Sequence, residues 1–181
     1  MSNPSAKDSL PLSASEHPAD LPDVRLLKVC SERRERRSGP GGQHRNKVET
    51  AVVLTHEPTG VEAEANERRS QAQNRQVAVF RLRLRLAVTV RAIRRTDAVP
   101  SELWRSRSRG GKISVNPEHA DFPSLLAEAL DVLAMAEFDV KLAAETLAVS
   151  GSQILKFLKL EPSAFERFNH ERAARGLPRL M

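Results

Sequence analysis

Tyrosine is absent from this chain, and one Trp with six Phe makes up its whole aromatic complement. Stacking platforms for single-stranded bases are therefore scarce, so any contact with nucleic acid has to be mostly electrostatic and directed at the backbone. The core must be largely aliphatic, and a hydrophobic content of 40% is enough to build one. A single cysteine, Cys30, excludes an intramolecular disulfide and a multi-cysteine zinc site, and makes a reducing cytoplasm the expected location. No apolar run approaches the roughly 18 residues needed to span a bilayer. Residues 1–22 also lack the basic start and apolar middle of a signal peptide, so a soluble protein without a membrane partner is expected. At 181 residues the chain has room for one modest domain with extensions or for two small ones, and a large multidomain enzyme is excluded.

What is plentiful is positive charge, unevenly placed. The net charge of +6 conceals a segment 25–47 that alone carries +6. Residues 67–95 hold nine Arg against Glu67, for +8, and Arg105, Arg107, Arg109 and Lys112 add +4. Residues 117–145 reverse the sign, with seven acids against Lys141. Each run by itself is explained by a solvated face. Three basic runs flanking one glycine-rich string have the footprint of a protein that docks on polyphosphate such as ribosomal or transfer RNA.

The element pattern is mixed, and an α+β fold is expected. Residues 1–22 show no apolar period and read as disordered. A short helix from about Asp23 leads into a charged strand that ends near Arg37. The string AVVLT at 51–55, the turn chemistry of Glu57, Pro58, Thr59 and Gly60, and the alternating VEAEA at 61–65 predict a β-hairpin. From Ser70, a plausible N-cap, no Gly or Pro occurs before Pro100. Phe80, Leu82, Leu84 and Leu86 alternate as in a strand, yet Val79, Leu82, Leu86, Val90 and Ile93 share a helical stripe. Helix is the better reading, because Arg and Leu favour it and so long a strand is unusual. The expected organisation is thus a domain over 23–98 in which a hairpin and one further strand pack on a long helix. A basic linker at 99–116, an all-α unit at 117–161 and a basic tail at 162–181 follow. Within the helical unit, residues 143–154 read as helix, tight turn, helix, with Ser152 capping the second helix. That spacing fits a helix-turn-helix, with Lys156 and Lys159 its best arguments for nucleic acid. A helical hairpin used only for packing gives the same pattern, and the surrounding acids repel phosphate.

The chemistry concentrates in Ser38, Gly39, Pro40, Gly41, Gly42, Gln43, His44, Arg45, Asn46, Lys47, Val48, Glu49 and Thr50. Adjacent glycines permit positive φ and carry no Cβ, so Gly41 and Gly42 let backbone enter a crowded site. His44 invites a general-base reading, but no Ser, Cys or carboxylate is spaced to make a triad with it. His44 and His56 lack a third ligand at a recognisable spacing, so neither a metal nor another cofactor is expected.

This string, with the hairpin after it and Arg69-Ser70-Gln71 at a helix start, resembles the GGQ domain of class I peptide-chain release factors and of the ribosome-rescue peptidyl-tRNA hydrolases. The likeness covers roughly residues 30–95. It implies acyl transfer to water, hydrolysing the ester between a nascent peptide and tRNA at the peptidyl-transferase centre of the large ribosomal subunit. Such an ester needs a positioned water and stabilisation of the charge that develops, which a backbone N–H supplies without titrating. The resemblance assigns that N–H to Gln43, whose side-chain amide would admit and orient the water, with Gly41 and Gly42 as its steric condition. Gly39, Pro40, Asn46 and Thr50 would support the loop. Arg37, His44, Arg45 and Lys47, then Arg69 and Arg75, then Arg107, Arg109 and Lys112 are the expected contacts to ribosomal RNA. Arg37 and Arg45 depart from the family, which usually has small residues there.

Only 38 residues precede Gly39, which leaves no room in this chain for a codon-reading domain ahead of the loop. The expectation is a short, codon-independent rescue factor acting on peptidyl-tRNA. The alternative from another class is a noncatalytic ribosome- or RNA-binding protein that uses the loop and the helical unit as RNA contacts. A DNA-binding regulator acting through residues 143–159 is disfavoured by the acidity of that region.

Overall fold

A strand as apolar as Ala51–His56 must be covered on both sides, and this one is the centre of the sheet. The structure is a computed structural model that describes residues 16–35 and 51–181. It divides into two compact units, Pro18–Leu86 and a second formed by Ala87–Met181 with His17.

In the first unit, helix α1 (Asp23–Leu27) precedes three antiparallel strands in the order β1 (Cys30–Glu35), β2 (Ala51–His56) and β3 (Val61–Ala65). The register pairs Cys30 with His56 and Glu35 with Ala51, then Val52 with Ala65 and His56 with Val61. Central β2 buries Ala51, Val52, Val53 and Leu54 in succession, whereas β3 buries only Ala63 and Ala65, as a half-covered strand should. Edge strand β1 is polar, as expected of a strand with one unpaired side. The turn forms as expected: Gly60 takes φ +68 and its N–H reaches the His56 carbonyl at 2.8 Å. Helix α2 (Gln71–Thr89) resolves the conflict of periods in favour of helix. Ala78, Val79, Leu82 and Leu86 are buried on one stripe. Val90 is buried just beyond the helix end, but Ile93, expected on the same stripe, is 50% exposed because α2 stops at Thr89.

The second unit is built around α4 (Phe122–Met135), which is buried from Phe122 to Leu133 and therefore apolar nearly all round. Its two buried carboxylates are answered. Glu128 accepts from the Ser101 N–H at 2.7 Å and from its hydroxyl at 2.5 Å. Asp131, 0% exposed, accepts from the Ala92 N–H at 3.0 Å, Arg91 Nη1 at 3.4 Å and Arg94 Nε at 2.8 Å.

The segment 99–116, expected to be a linker, is ordered instead. Ser101 caps α3 (Glu102–Arg107), whose Trp104 is fully buried, and a small hairpin follows as β4 (Ser108–Arg109) and β5 (Lys112–Ile113). Gly110 and Gly111 make its turn at φ +58 and +73. Helices α5 (Val140–Thr146) and α6 (Gly151–Leu158) are joined by a turn in which Ala148 takes φ +53. The cap of α6 is Ser150, not Ser152: the Ser150 hydroxyl accepts from the Gln153 N–H, and Ser152 bonds the Ser150 hydroxyl at 3.0 Å. The expected basic tail begins with a further helix, α7 (Pro162–Ala174), because Glu161 caps it, Pro162 starts it and Phe168 is drawn into the core.

Candidate functional site

The GGQ string connects β1 to β2. Arg37, Gly39, Pro40, Gly41, Gly42, Gln43, His44, Arg45, Asn46, Lys47 and Thr50 lie outside the described residues. What is described is the mount. Glu35 pairs with Ala51, so both ends of the connection start from one rung of an antiparallel ladder. That rung is anchored by β2, which is buried from Ala51 to Leu54.

The corner leading into α2 is held by a residue to which sequence reasoning gave no role. Asn74 is fully buried, and its amide clasps one residue from both sides: Oδ1 accepts from the Arg68 N–H at 2.8 Å, and Nδ2 donates to the Arg68 carbonyl at 2.9 Å. An Asn one turn into a helix, within the string Arg-Ser-Gln-Ala-Gln-Asn-Arg, was the available signal. The clasp fixes the backbone beside Arg69, which is exposed and forms no ion pair among the described residues. Glu67 closes the corner, accepting from Arg81 Nη2 at 2.7 Å. Burial pushes the Glu67 carboxyl up, but its own and the Asn66 backbone N–H and the Arg81 guanidinium outweigh this and hold it below the usual range.

Most arginines of α2 are engaged within the protein. Arg75 Nε meets Glu32 of β1 at 2.7 Å, Arg81 also donates to the Glu64 carbonyl at 2.8 Å, Arg85 donates to the Glu62 carbonyl, and Arg83 donates to the Ala19 carbonyl at 2.9 Å. The +8 run read as an RNA footprint is thus in large part the means by which α2 is bolted to the sheet edges. Arg107 is likewise tied to Asp121, with Nε at 3.1 Å, and touches His119. Arg109 and Lys112, on the β4–β5 hairpin, are exposed and make no ion pair among the described residues. Of the five expected RNA contacts that are described, Arg69, Arg109 and Lys112 therefore present their charge to solvent, while Arg75 and Arg107 are engaged at home.

The described titratable groups offer no rival chemistry. Burial, with Glu57 nearby, pushes the Cys30 thiol up, and Sγ donates to the Leu26 carbonyl at 3.2 Å, so it is a poor nucleophile. His56 is 4% exposed, burial holds its imidazole below the usual value, and Nδ1 lies 2.7 Å from Thr59 Oγ1. Among the described residues, no group of three or more His, Cys, Asp or Glu is placed to hold a metal ion, and no helix is long and apolar enough to cross a membrane.

The family model for the RF-1 domain matches residues 29–116. The chain carries a release-factor RF-1 domain. Its release-factor domain starts one residue before β1 and ends beyond β5, so it takes in the sheet, α2, α3 and the small hairpin, while α4 to α7 lie past it. Relatives agree. Peptide chain release factor 1 of Frankia casuarinae is 33% identical over 129 residues, 61% of this chain and 36% of that protein. Peptide chain release factor PrfB1, chloroplastic, of Arabidopsis thaliana is 48% identical over 81 residues, 41% of this chain and 18% of that one. Peptide chain release factor 2 of an Acidovorax strain reaches 57% over 51 residues, 28% of this chain and 14% of that one. The chain thus spans about a third or less of the length of these release factors.

Proposed function

We propose that this release-factor relative is a peptidyl-tRNA hydrolase that frees nascent peptides from stalled ribosomes without reading a codon. The observation that carries the proposal is the GGQ string within an RF-1 domain, set between two strands whose ends meet at the Glu35–Ala51 rung. In this reading Gly41 and Gly42 bring the backbone to the ester, and the Gln43 N–H stabilises the oxyanion as water attacks and as the ribose oxygen leaves. The Gln43 amide orients that water. Arg69, Arg109 and Lys112 meet ribosomal phosphate, and Arg75 and Arg107 hold the elements that carry them. Peptidyl-tRNA, ribosomal RNA and the large-subunit peptidyl-transferase centre are the partners.

The test is single-turnover release of a labelled peptide from purified ribosome complexes whose A site is empty, holds a sense codon or holds a stop codon. Release with an empty A site and no gain from a stop codon is expected. Gly42→Ala adds a Cβ where the reading requires none, and should slow release on the order of a hundredfold, the scale of losing one oxyanion donor. Release by Gly42→Ala at the wild-type rate would overturn the catalytic assignment. Release only at stop codons would overturn the rescue assignment, and ribosome binding without release would leave a noncatalytic RNA-binding protein.

A further inference from the structure

The α5–α6 helix-turn-helix carries no part of the ester chemistry, yet it is bound to the basic hairpin. The Ser150 N–H, at the start of α6, donates to the Gly111 carbonyl of the hairpin turn at 3.2 Å. From the other side the Trp104 indole N–H donates to the Leu147 carbonyl at 3.0 Å, and the Trp104 ring stacks edge-on against Phe157 of α6 at 5.7 Å. Hairpin, turn and α6 are therefore one rigid piece.

We propose that this piece extends the RNA contact of Arg109 and Lys112 onto α6, and takes double-stranded RNA by its phosphate backbone. Arg105, Arg109, Lys112 and Lys156 are all exposed, and none forms an ion pair among the described residues. Ser152, Lys156 and Lys159 follow the spacing of one helical stripe and are exposed, and that stripe starts at Ser152, whose hydroxyl touches Ser150 beside the hairpin turn. Cationic side chains thus run from the hairpin onto the helix.

The acidity of residues 117–145, which argues against such a role on paper, is largely internal. Asp121 is tied to Arg107, Glu128 to Ser101, Asp131 to Arg91, Arg94 and Ala92, and Asp139 caps α5. Glu118, Glu137 and Glu145 are the acids of that segment left at the surface without such a partner among the described residues.

Room for a phosphate exists as well. A cavity of about 180 Å³ opens between the hairpin and the α5–α6 turn, lined among others by Arg105, Arg109, Gly110, Gly111 and Ala148. No atom lies within 4 Å of where a Cβ would stand on Gly110 or Gly111, so a ligand can approach the backbone there. Trp104, Phe122 and Phe157 are buried, which removes them as stacking partners for unpaired bases and favours a duplex held by charge. RNA in preference to DNA rests on the ribosomal function proposed above.

The test is fluorescence anisotropy of the full chain with a labelled 20-base-pair RNA duplex, its single strand and the DNA duplex of the same sequence, across a salt series. Binding strongest to the RNA duplex is expected, with the triple variant Arg109→Gln, Lys112→Gln, Lys156→Gln at least tenfold weaker and its log–log salt slope reduced by about two to three. The triple Lys/Arg-exchanged variant Arg109→Lys, Lys112→Arg, Lys156→Arg should restore binding. Trp104 fluorescence reports folding of the triple variant; were it to unfold, Lys156→Gln alone should weaken binding severalfold. Gly42→Ala should bind the duplex as the wild type does, so a failure of the hydrolase reading and a failure of this one give different results. Wild-type duplex affinity in the neutralised variants, or tighter binding to DNA than to RNA, would overturn the proposal.

Discussion

Replacing Asp131 by Asn removes the carboxylate on which Arg91, Arg94 and the Ala92 amide converge. Asp131 is fully buried, and the Arg91 and Arg94 side chains are only 14% and 15% exposed. Desolvation opposes both signs here: burial pushes Arg91 down to about 10 against the pull of Asp131, and pushes the Asp131 carboxyl up against the pull of Arg94 and Arg91. Removing one partner of such a pair costs about 3–5 kcal/mol, because the guanidiniums stay buried without their counter-ion. Asn keeps an oxygen for the Ala92 N–H, and Arg91 keeps its bonds to the Ala87 and Val88 carbonyls, so the low end, about 3 kcal/mol, is expected. Trp104 is the one Trp of the chain and is buried in the same unit, so its fluorescence in urea follows this unit alone. The midpoint should fall by roughly 1–3 M. A midpoint within about 0.2 M of wild type would refute the argument that the charge, and not only the shape, of Asp131 holds the residues after α2 to α4. Asp131→Leu should be worse than Asn, since the Ala92 N–H then loses its acceptor too.

His56 supplies a pH prediction. Its folded value lies below the ordinary one, so the folded state prefers the neutral ring, and that contribution is intact above about pH 6.5 and lost on acidification. Stability of the first unit, followed by amide exchange of the β2 residues, should drop below pH 6.5 by at most about 1.4 kcal/mol per pH unit, and His56→Gln should flatten the drop; an equal drop in His56→Gln would assign it elsewhere. At the first residue of α6, a Cβ on Gly151 would stand 3.1 Å from Val140 Cγ1. Gly151→Ala should therefore destabilise by about 1 kcal/mol, with Val140→Ala in the same chain recovering most of it, as read by Trp104 in urea. An unchanged midpoint for Gly151→Ala would mean that Val140 yields freely.

Local chemistry was the legible part of this protein. The turn from Glu57 to Gly60 and the alternation of residues 61–65 announce the β2–β3 hairpin, and the Leu and Arg content of residues 79–86 tips the period conflict towards helix. Segment 99–116 carried its signals in plain view, a capping Ser101 before Glu102 and a Gly110-Gly111 turn, but its density of arginine disguised them as linker. The Ser150 cap was misplaced by two residues because Ser150 and Ser152 flank the same glycine, and only hydrogen bonds distinguish them. Partner choice was not legible. Nothing in the order of residues says that Arg75 would meet Glu32 or that Asp131 would take Arg91 and Arg94, since those pairs are made by tertiary packing of charges distant in the chain. The same ignorance inflated both electrostatic readings, making α2 look more available to RNA, and residues 117–145 more hostile to it, than their exposed charges warrant.

The Glu35–Ala51 rung has an evolutionary consequence. Because hydrogen-bonded strands already hold Glu35 opposite Ala51, added length between them costs the sheet only the slow logarithmic growth of loop-closure entropy, about 0.6 kcal/mol for each doubling. The pairing of β1 with β2 therefore tolerates a change of length between Glu35 and Ala51, which leaves selection there free to answer to the target.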